Sequence, residues 1–375
     1  MVPYQLLKVV RAGVLVAAAL SPLSNVAADT GSLFTVSDVR VDVTADAANI
    51  ARSLALAEGQ RLALERLLQR ITPRSDYVRH PVVDDSKVAM LVQDISISDE
   101  RVSSIRYIAK LLIRFKKEEV RRLLKLAKIP HTETRSKPLL VLPVYETGGA
   151  LLLWDEPNRW RQVWFSYPAD DDSLVPLVFP VGDLSDVASI GAEQALRGDR
   201  DRLKAITHRY GLEDALVAHA TLVRDLSNNV SSLHIDIRRF GPSGESFHKE
   251  SVFGDSNDNI GTLLSKGIEQ VRERIEERWK LDTLLTVGSS QRLSARVPLE
   301  NLGDWLKVRQ RLKATGNVSN MSLVAISRND ARVIIDYVGG KDQLVLSLAQ
   351  RDLELRKSEG FWIITLRNTI TEYGE

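Results

Sequence analysis

The stretch that decides the reading is residues 137–164, KPLLVLPVYETGGALLLWDEPNRWRQVW. Leu139-Leu140-Val141-Leu142 is a short apolar run stopped by Pro143, and it reads as a strand over 138–144. The chain then turns at Gly148-Gly149 and enters a loop holding Trp154, Asp155, Pro157, Asn158 and Trp160. Tryptophan buries a large area and keeps one N–H that needs an acceptor, so it favours interfaces. Trp154, Asp155, Asn158, Arg159 and Trp160 are therefore the candidate partner-binding residues. The competing account is that the tryptophans plug the loop onto a small core.

Downstream of this loop, 174–181 reads as a second apolar strand, and helical sequence follows over 186–196 and 200–210. Strands over 215–223, 233–237 and 246–253 form a meander with turns at 225–229 and 241–244. A long helix over about 257–280 closes a central unit, 132–283. Upstream, 34–43 alternates with a slip at Ser37-Asp38, and a helix with an apolar stripe runs to Ile71. A short element near 91–97, a strand over 102–115 and a helix over 118–127 complete a first unit, 29–131. The segment 132–137, polar throughout, reads as a linker. From 284 onward the order strand, helix, strand, strand, helix, strand is that of a ferredoxin-like unit, with 353–365 as its last strand. The class is α+β, in three small domains.

Lys8 and Arg11, the apolar run 12–20 and Val26-Ala27-Ala28 have the three parts of a secretory signal peptide over 1–28. No later run reaches spanning length. Removing Lys8 and Arg11 from 51 basic residues leaves 49, against 49 acidic ones. A neutral chain lacks the electrostatic footprint of a nucleic-acid binder. The chain has no cysteine, which excludes disulfides, thiolate metal sites and a cysteine nucleophile. These features predict a periplasmic protein.

Five stretches carry a family resemblance: RVSSIRYIAKLLIRF (101–115), KPLLVLPVY (137–145), LLWDEPNRWR (152–161), LVPLVFPVGDL (174–184) and YGLEDALVAHA (210–220). VPLENLGDWLKVRQRL (297–312) and LAQRDLEL (348–355) fit as well. In this order they resemble a family of secreted proteobacterial proteins known as a domain of unknown function. The resemblance implies an envelope location and brings no catalytic residues. The central unit is loosely similar to the amino-terminal domain of the Tol-system propeller protein and to outer-membrane activators of cell-wall synthases, all binding modules.

No pattern reaches a catalytic signature. Asp155-Glu156 and Asp170-Asp171-Asp172 are the carboxylate clusters on offer for acid–base work, but adjacent residues rarely converge across a substrate. None of the six histidines has metal-ligand spacing, although His219, His234 and His248 fall on consecutive meander strands. The glycine pairs lack the context of a phosphate loop. No cofactor is predicted. The expected function is non-enzymatic binding or scaffolding in the cell envelope, with an envelope protein as partner. The alternative is an enzyme acting on a cell-wall glycan or another small polar substrate.

Overall fold

In a computed structural model, the described residues are 33–167, 172–225, 230–242, 244–254, 259–285, 290–358 and 360–367. The expected signal peptide lies outside them, as do Asp170 and Asp171.

The first sheet has the order β1-β3-β2, from strands β1 (Thr35–Thr44), β2 (Val92–Val102) and β3 (Arg106–Phe115), all antiparallel. The slip seen at Ser37-Asp38 is a bulge: the register shifts between Val36 and Val39, with Asp38 at φ 48. It keeps Val36, Val39 and Val41 on the buried face. Helix α1 (Ala48–Ile71) lies across that face. It approaches closely because Gly59 has no side chain; a Cβ there would sit 2.4 Å from Leu111 Cδ1 and 3.0 Å from Val41 Cγ1. Helices α2 (Asp85–Leu91) and α3 (Lys117–Leu126) flank β2 and β3. The 102–115 run is thus shorter than expected, because Ser103-Ser104 turns the chain between β2 and β3.

The central sheet runs β5-β4-β7-β8-β9, from β4 (Leu139–Thr147), β5 (Ala150–Leu152), β7 (Asp214–Asp225), β8 (Val230–Gly241) and β9 (Gly244–Phe253). β4 and β7 are parallel and the meander is antiparallel. The two-residue β6 (Leu177–Val178) pairs with β4, so the expected 174–181 strand is mostly irregular. Pro176 and Pro180 explain this, since neither can donate to a ladder. β4 is buried on both faces. Leu139 and Val141 meet α4 (Arg159–Ser166) and the long α8 (Ile260–Asp282). Leu140, Leu142 and Val144 share a second core with residues of α6 (Ala192–Arg197) and α7 (Arg200–Arg209), preceded by the short α5 (Leu184–Ser189).

The last sheet has the order β11-β12-β10-β14-β13. Its elements are β10 (Ser290–Pro298), α9 (Leu302–Ala314), β11 (Val318–Ile326), β12 (Asp330–Val338), α10 (Lys341–Ala349), β13 (Leu353–Ser358) and β14 (Phe361–Leu366). The ferredoxin-like order of elements is present, with one departure. The expected final strand is a hairpin turning at Gly360, φ 86, and β14 inserts parallel to β10, which moves β13 to the edge. Trp305, Val308, Leu344 and Ile364 fill a core of its own.

The 132–137 segment is not a solvated linker. Thr132, Glu133, Thr134 and Ser136 are buried where all three sheets' units meet. Thr132 N–H donates to Ile71 O, Trp279 Nε1 donates to Thr134 O, and the Thr134 hydroxyl pairs with that of Ser347 at 3.0 Å. Five polar side chains in sequence suggest solvent, but the hydroxyls of Thr132 and Thr134 are matched by Thr283 and Ser347 far along the chain, and Glu133 by the nearer Arg121.

Candidate functional site

The aromatic loop begins where β5 ends and is fixed by Asn158. This residue caps α4: its Oδ1 accepts from Arg161 N at 2.9 Å, while Nδ2 donates to Leu152 O at 3.2 Å. Asn158 is fully buried by these contacts. The cap sets the start of α4, and the helix then directs Trp160 and Trp164, four residues apart, onto the same side. Both are fully buried, with rings edge-to-face at 5.5 Å, and Trp160 donates its N–H to Ala218 O at 2.9 Å. Trp160 and Asn158 therefore serve the core of the central sheet and offer no surface to a partner.

The other three candidates lie further out. Trp154 is half-buried and donates to Ile190 O at 2.6 Å, while Asp155 and Arg159 are exposed. Glu156, preceding the cis peptide bond to Pro157, accepts from Asn158 N and Gln162 Nε2. Asp172 accepts from Ser37 N and pairs with Arg70 at 3.6 Å. Of the carboxylates weighed for acid–base work, Glu156 and Asp172 are thus tied into loop and interface structure.

Arg161 organises the surface beside the loop. Its guanidinium lies 4.8 Å from the Phe165 ring and 5.7 Å from Trp154, and its Nη2 donates to Val181 O at 2.6 Å. Gly182 makes this possible: it adopts φ +83, and a Cβ there would sit 2.4 Å from Arg161 Nη2. Arg161 thus holds exposed Phe165 and Val181 side by side, and Leu184 and Val187 on the following helix are exposed too, with Val181 71% and Leu184 88% exposed. Leu184 and Val187 share a face of α5. Sequence reading missed this patch. Its signal was Val181 and Leu184 flanking Gly182-Asp183, which read as a strand end and a helix start.

The meander histidines do not gather. His219 is the cross-strand neighbour of Asp236, and His234 that of Thr221, on one face. His248 opposes Ile237 on the α8 face. His219 Nε2 lies 3.1 Å from Glu146 Oε2, which also accepts from the Thr221 hydroxyl. Among the described residues, no group of three His, Asp or Glu side chains could hold a metal ion.

The strongest electrostatic feature is the buried Glu133. Arg121 donates to it through Nε and Nη2, Lys117 lies 3.2 Å away, and His131 Nε2 is 3.1 Å from Oε1. Burial pushes the carboxyl pKa up, but the hydrogen bonds from His131 and Arg121 and the charges of Lys117 and Arg121 outweigh it and hold the value at about 2. Arg121 Nη2 also donates to Gly316 O, so the group joins the first unit to the last. Its chemistry is that of a structural joint.

No helix of the described residues is long and apolar enough to cross a membrane. No family model matches the chain, and no curated protein matches it. The crystal structure of a lipoprotein from Neisseria meningitidis matches over 37% of this chain and 94% of that one, at 15% identity and a TM-score of 0.25. At that score the likeness carries no argument. Neither the secreted family nor the Tol-system propeller protein is among these matches, so those resemblances rest on the sequence alone.

Proposed function

We propose that this is a non-enzymatic binding protein of the bacterial cell envelope, exported to the periplasm by residues 1–28 and docking an envelope protein beside its aromatic loop. One observation carries the reading: Arg161 holds exposed Phe165 and Val181 beside one another, and exposed Leu184 and Val187 follow within six residues on α5. Grouped exposed apolar side chains of this kind mark interaction sites. The docking surface is then the rim of the loop, with Asp155 and Arg159 as its polar border, while Trp160 supports it from inside.

The test places a photo-crosslinking amino acid at Leu184 or, as a control, at Asp201 on α7, in cells producing the full chain. The expected result is one discrete adduct at Leu184, none at Asp201, and loss of the adduct on Val187→Asp at unchanged melting temperature. Equal labelling at both positions, or no adduct at Leu184, overturns the proposal.

A further inference from the structure

Every long edge strand of the described sheets carries charge, except one. β1 exposes Asp42, β2 Asp99 and Glu100, β9 Lys249 and β13 Lys357. Charges on edges prevent unwanted strand pairing. β11, VSNMSLVAI, has none, and it has no proline or glycine. Among the described residues it is hydrogen-bonded only to β12, and its outer half is open: Leu323 is 45% exposed, Val324 53% and Ile326 46%.

Helix α9 runs alongside β11. Arg311, on one flank of α9, donates to Asp352 O beside β13. At 100° per residue, Leu302, Leu306, Arg309 and Lys313 fall on the opposite flank, toward β11. All four are exposed. Because α9 and β11 are joined by a short turn, they run in opposite directions. Leu302 and Leu306 thus lie toward the Ile326 and Leu323 end, and Arg309 and Lys313 toward the start of β11.

We infer that the edge of β11 and the adjoining flank of α9 bind an extended, acidic-ended peptide segment of a partner protein by strand addition. The main chain of the segment supplies the hydrogen bonds, and alternate side chains meet the groove. In antiparallel pairing, the better of the two geometries per residue, its carboxyl end reaches Arg309 and Lys313. Its apolar side chains lie on Leu306, Leu323 and Ile326. The charges argue for an acidic-ended segment: Arg309 and Lys313 lie at the end of β11 where the carboxyl terminus of an antiparallel segment falls, whereas two-fold pairing of β11 with itself would set them against the apolar Leu302 and Leu306 end of the second copy. Register irregularities between Val318 and Asn320 and between Leu323 and Ala325 also limit the regular edge to 320–323, which suits a short segment. This surface is separate from the Phe165–Leu184 patch, and the inference does not depend on the proposed function.

The test uses the full chain and a fluorescent peptide of sequence Ser-Val-Ser-Val-Ser-Glu-Glu with a free carboxyl end, read by anisotropy. Binding is expected, with affinity falling about tenfold or more for a peptide ending in two lysines and for the Arg309→Glu/Lys313→Glu variant. Leu323→Lys, a substitution at an exposed position, should abolish binding without lowering the melting temperature. Sedimentation of the protein alone covers the remaining occupant. Failure of the peptide to bind, equal binding of the acidic and basic peptides, or self-association that Leu323→Lys removes overturns the inference.

Discussion

Glu133 and Arg121 face each other through two parallel hydrogen bonds, Nε to Oε1 and Nη2 to Oε2, each 2.5 Å. The carboxylate is 4% exposed, so its charge has no solvent to fall back on if the guanidinium leaves.

The pair sets an acid dependence of stability. Glu133 has a folded-state pKa of about 2, below its ordinary value of 4.5. A depressed carboxyl contributes stability that is complete above the unfolded pKa and is lost as pH falls toward the folded one. The window is therefore between about pH 4.5 and 2, and the contribution is about 3 kcal/mol. Urea unfolding of wild type and Glu133→Gln should differ by about that amount at pH 6, and the gap should narrow as pH falls through the window. A gap that stays constant down to pH 2.5 would remove the assignment.

Trp160→Ala should cost about 3–5 kcal/mol of stability, because it empties a fully buried site and removes the hydrogen bond to Ala218 O. Truncating half-buried Trp154 should cost less. Denaturant unfolding with matched m-values checks both, and a neutral Trp160→Ala would contradict the buried placement.

Gly316→Ala tests the joint between the first and last units. A Cβ there would meet the Glu133 backbone oxygen at 2.4 Å, and a backbone atom cannot swing aside as a side chain can. The expected loss is about 2 kcal/mol. Gly211→Ala is not a suitable control because Gly211 has φ +67, whereas Gly191, where a Cβ would meet Gln194 Oε1 at an ordinary 3.8 Å, is. Gly191→Ala should be close to neutral.

A fragment spanning 287–375 should unfold cooperatively on its own, since Trp305, Val308, Leu344 and Ile364 belong to a core separate from the other two. Near-ultraviolet circular dichroism from Trp305 and Trp362 gives the readout. A fragment without that signal would show that this core needs the rest of the chain.

The periodic elements were legible because burial on one face writes itself into local sequence. The α8 helix, the meander and the Ser37-Asp38 slip are examples, each visible within about ten residues. The Ser358–Gly360 turn that splits the last strand was also written locally, in a glycine with positive φ, and was overlooked. The buried segment 132–136 was not legible. Thr134 is polar by any local measure, and its burial depends on Ser347, 213 positions away. The same limit applied to the aromatic loop: two tryptophans four apart fit a core and an interface equally well until Ala218 O is seen 2.9 Å from Trp160.

The joint at 132–136 also orders events during synthesis. Its amino-side contacts, Arg121 with Glu133 and Ile71 with Thr132, can form as soon as the first third of the chain emerges. Trp279 and Thr283 arrive much later, and Ser347 and Gln350 come nearly last. Until then Thr134 and the Lys137 N–H face water, and the unfinished chain shows a polar seam that the finished one hides. A chain broken off anywhere before Ser347 keeps that seam open, so truncated products should be distinguishable to a protease by a strip of six residues in the middle of the sequence.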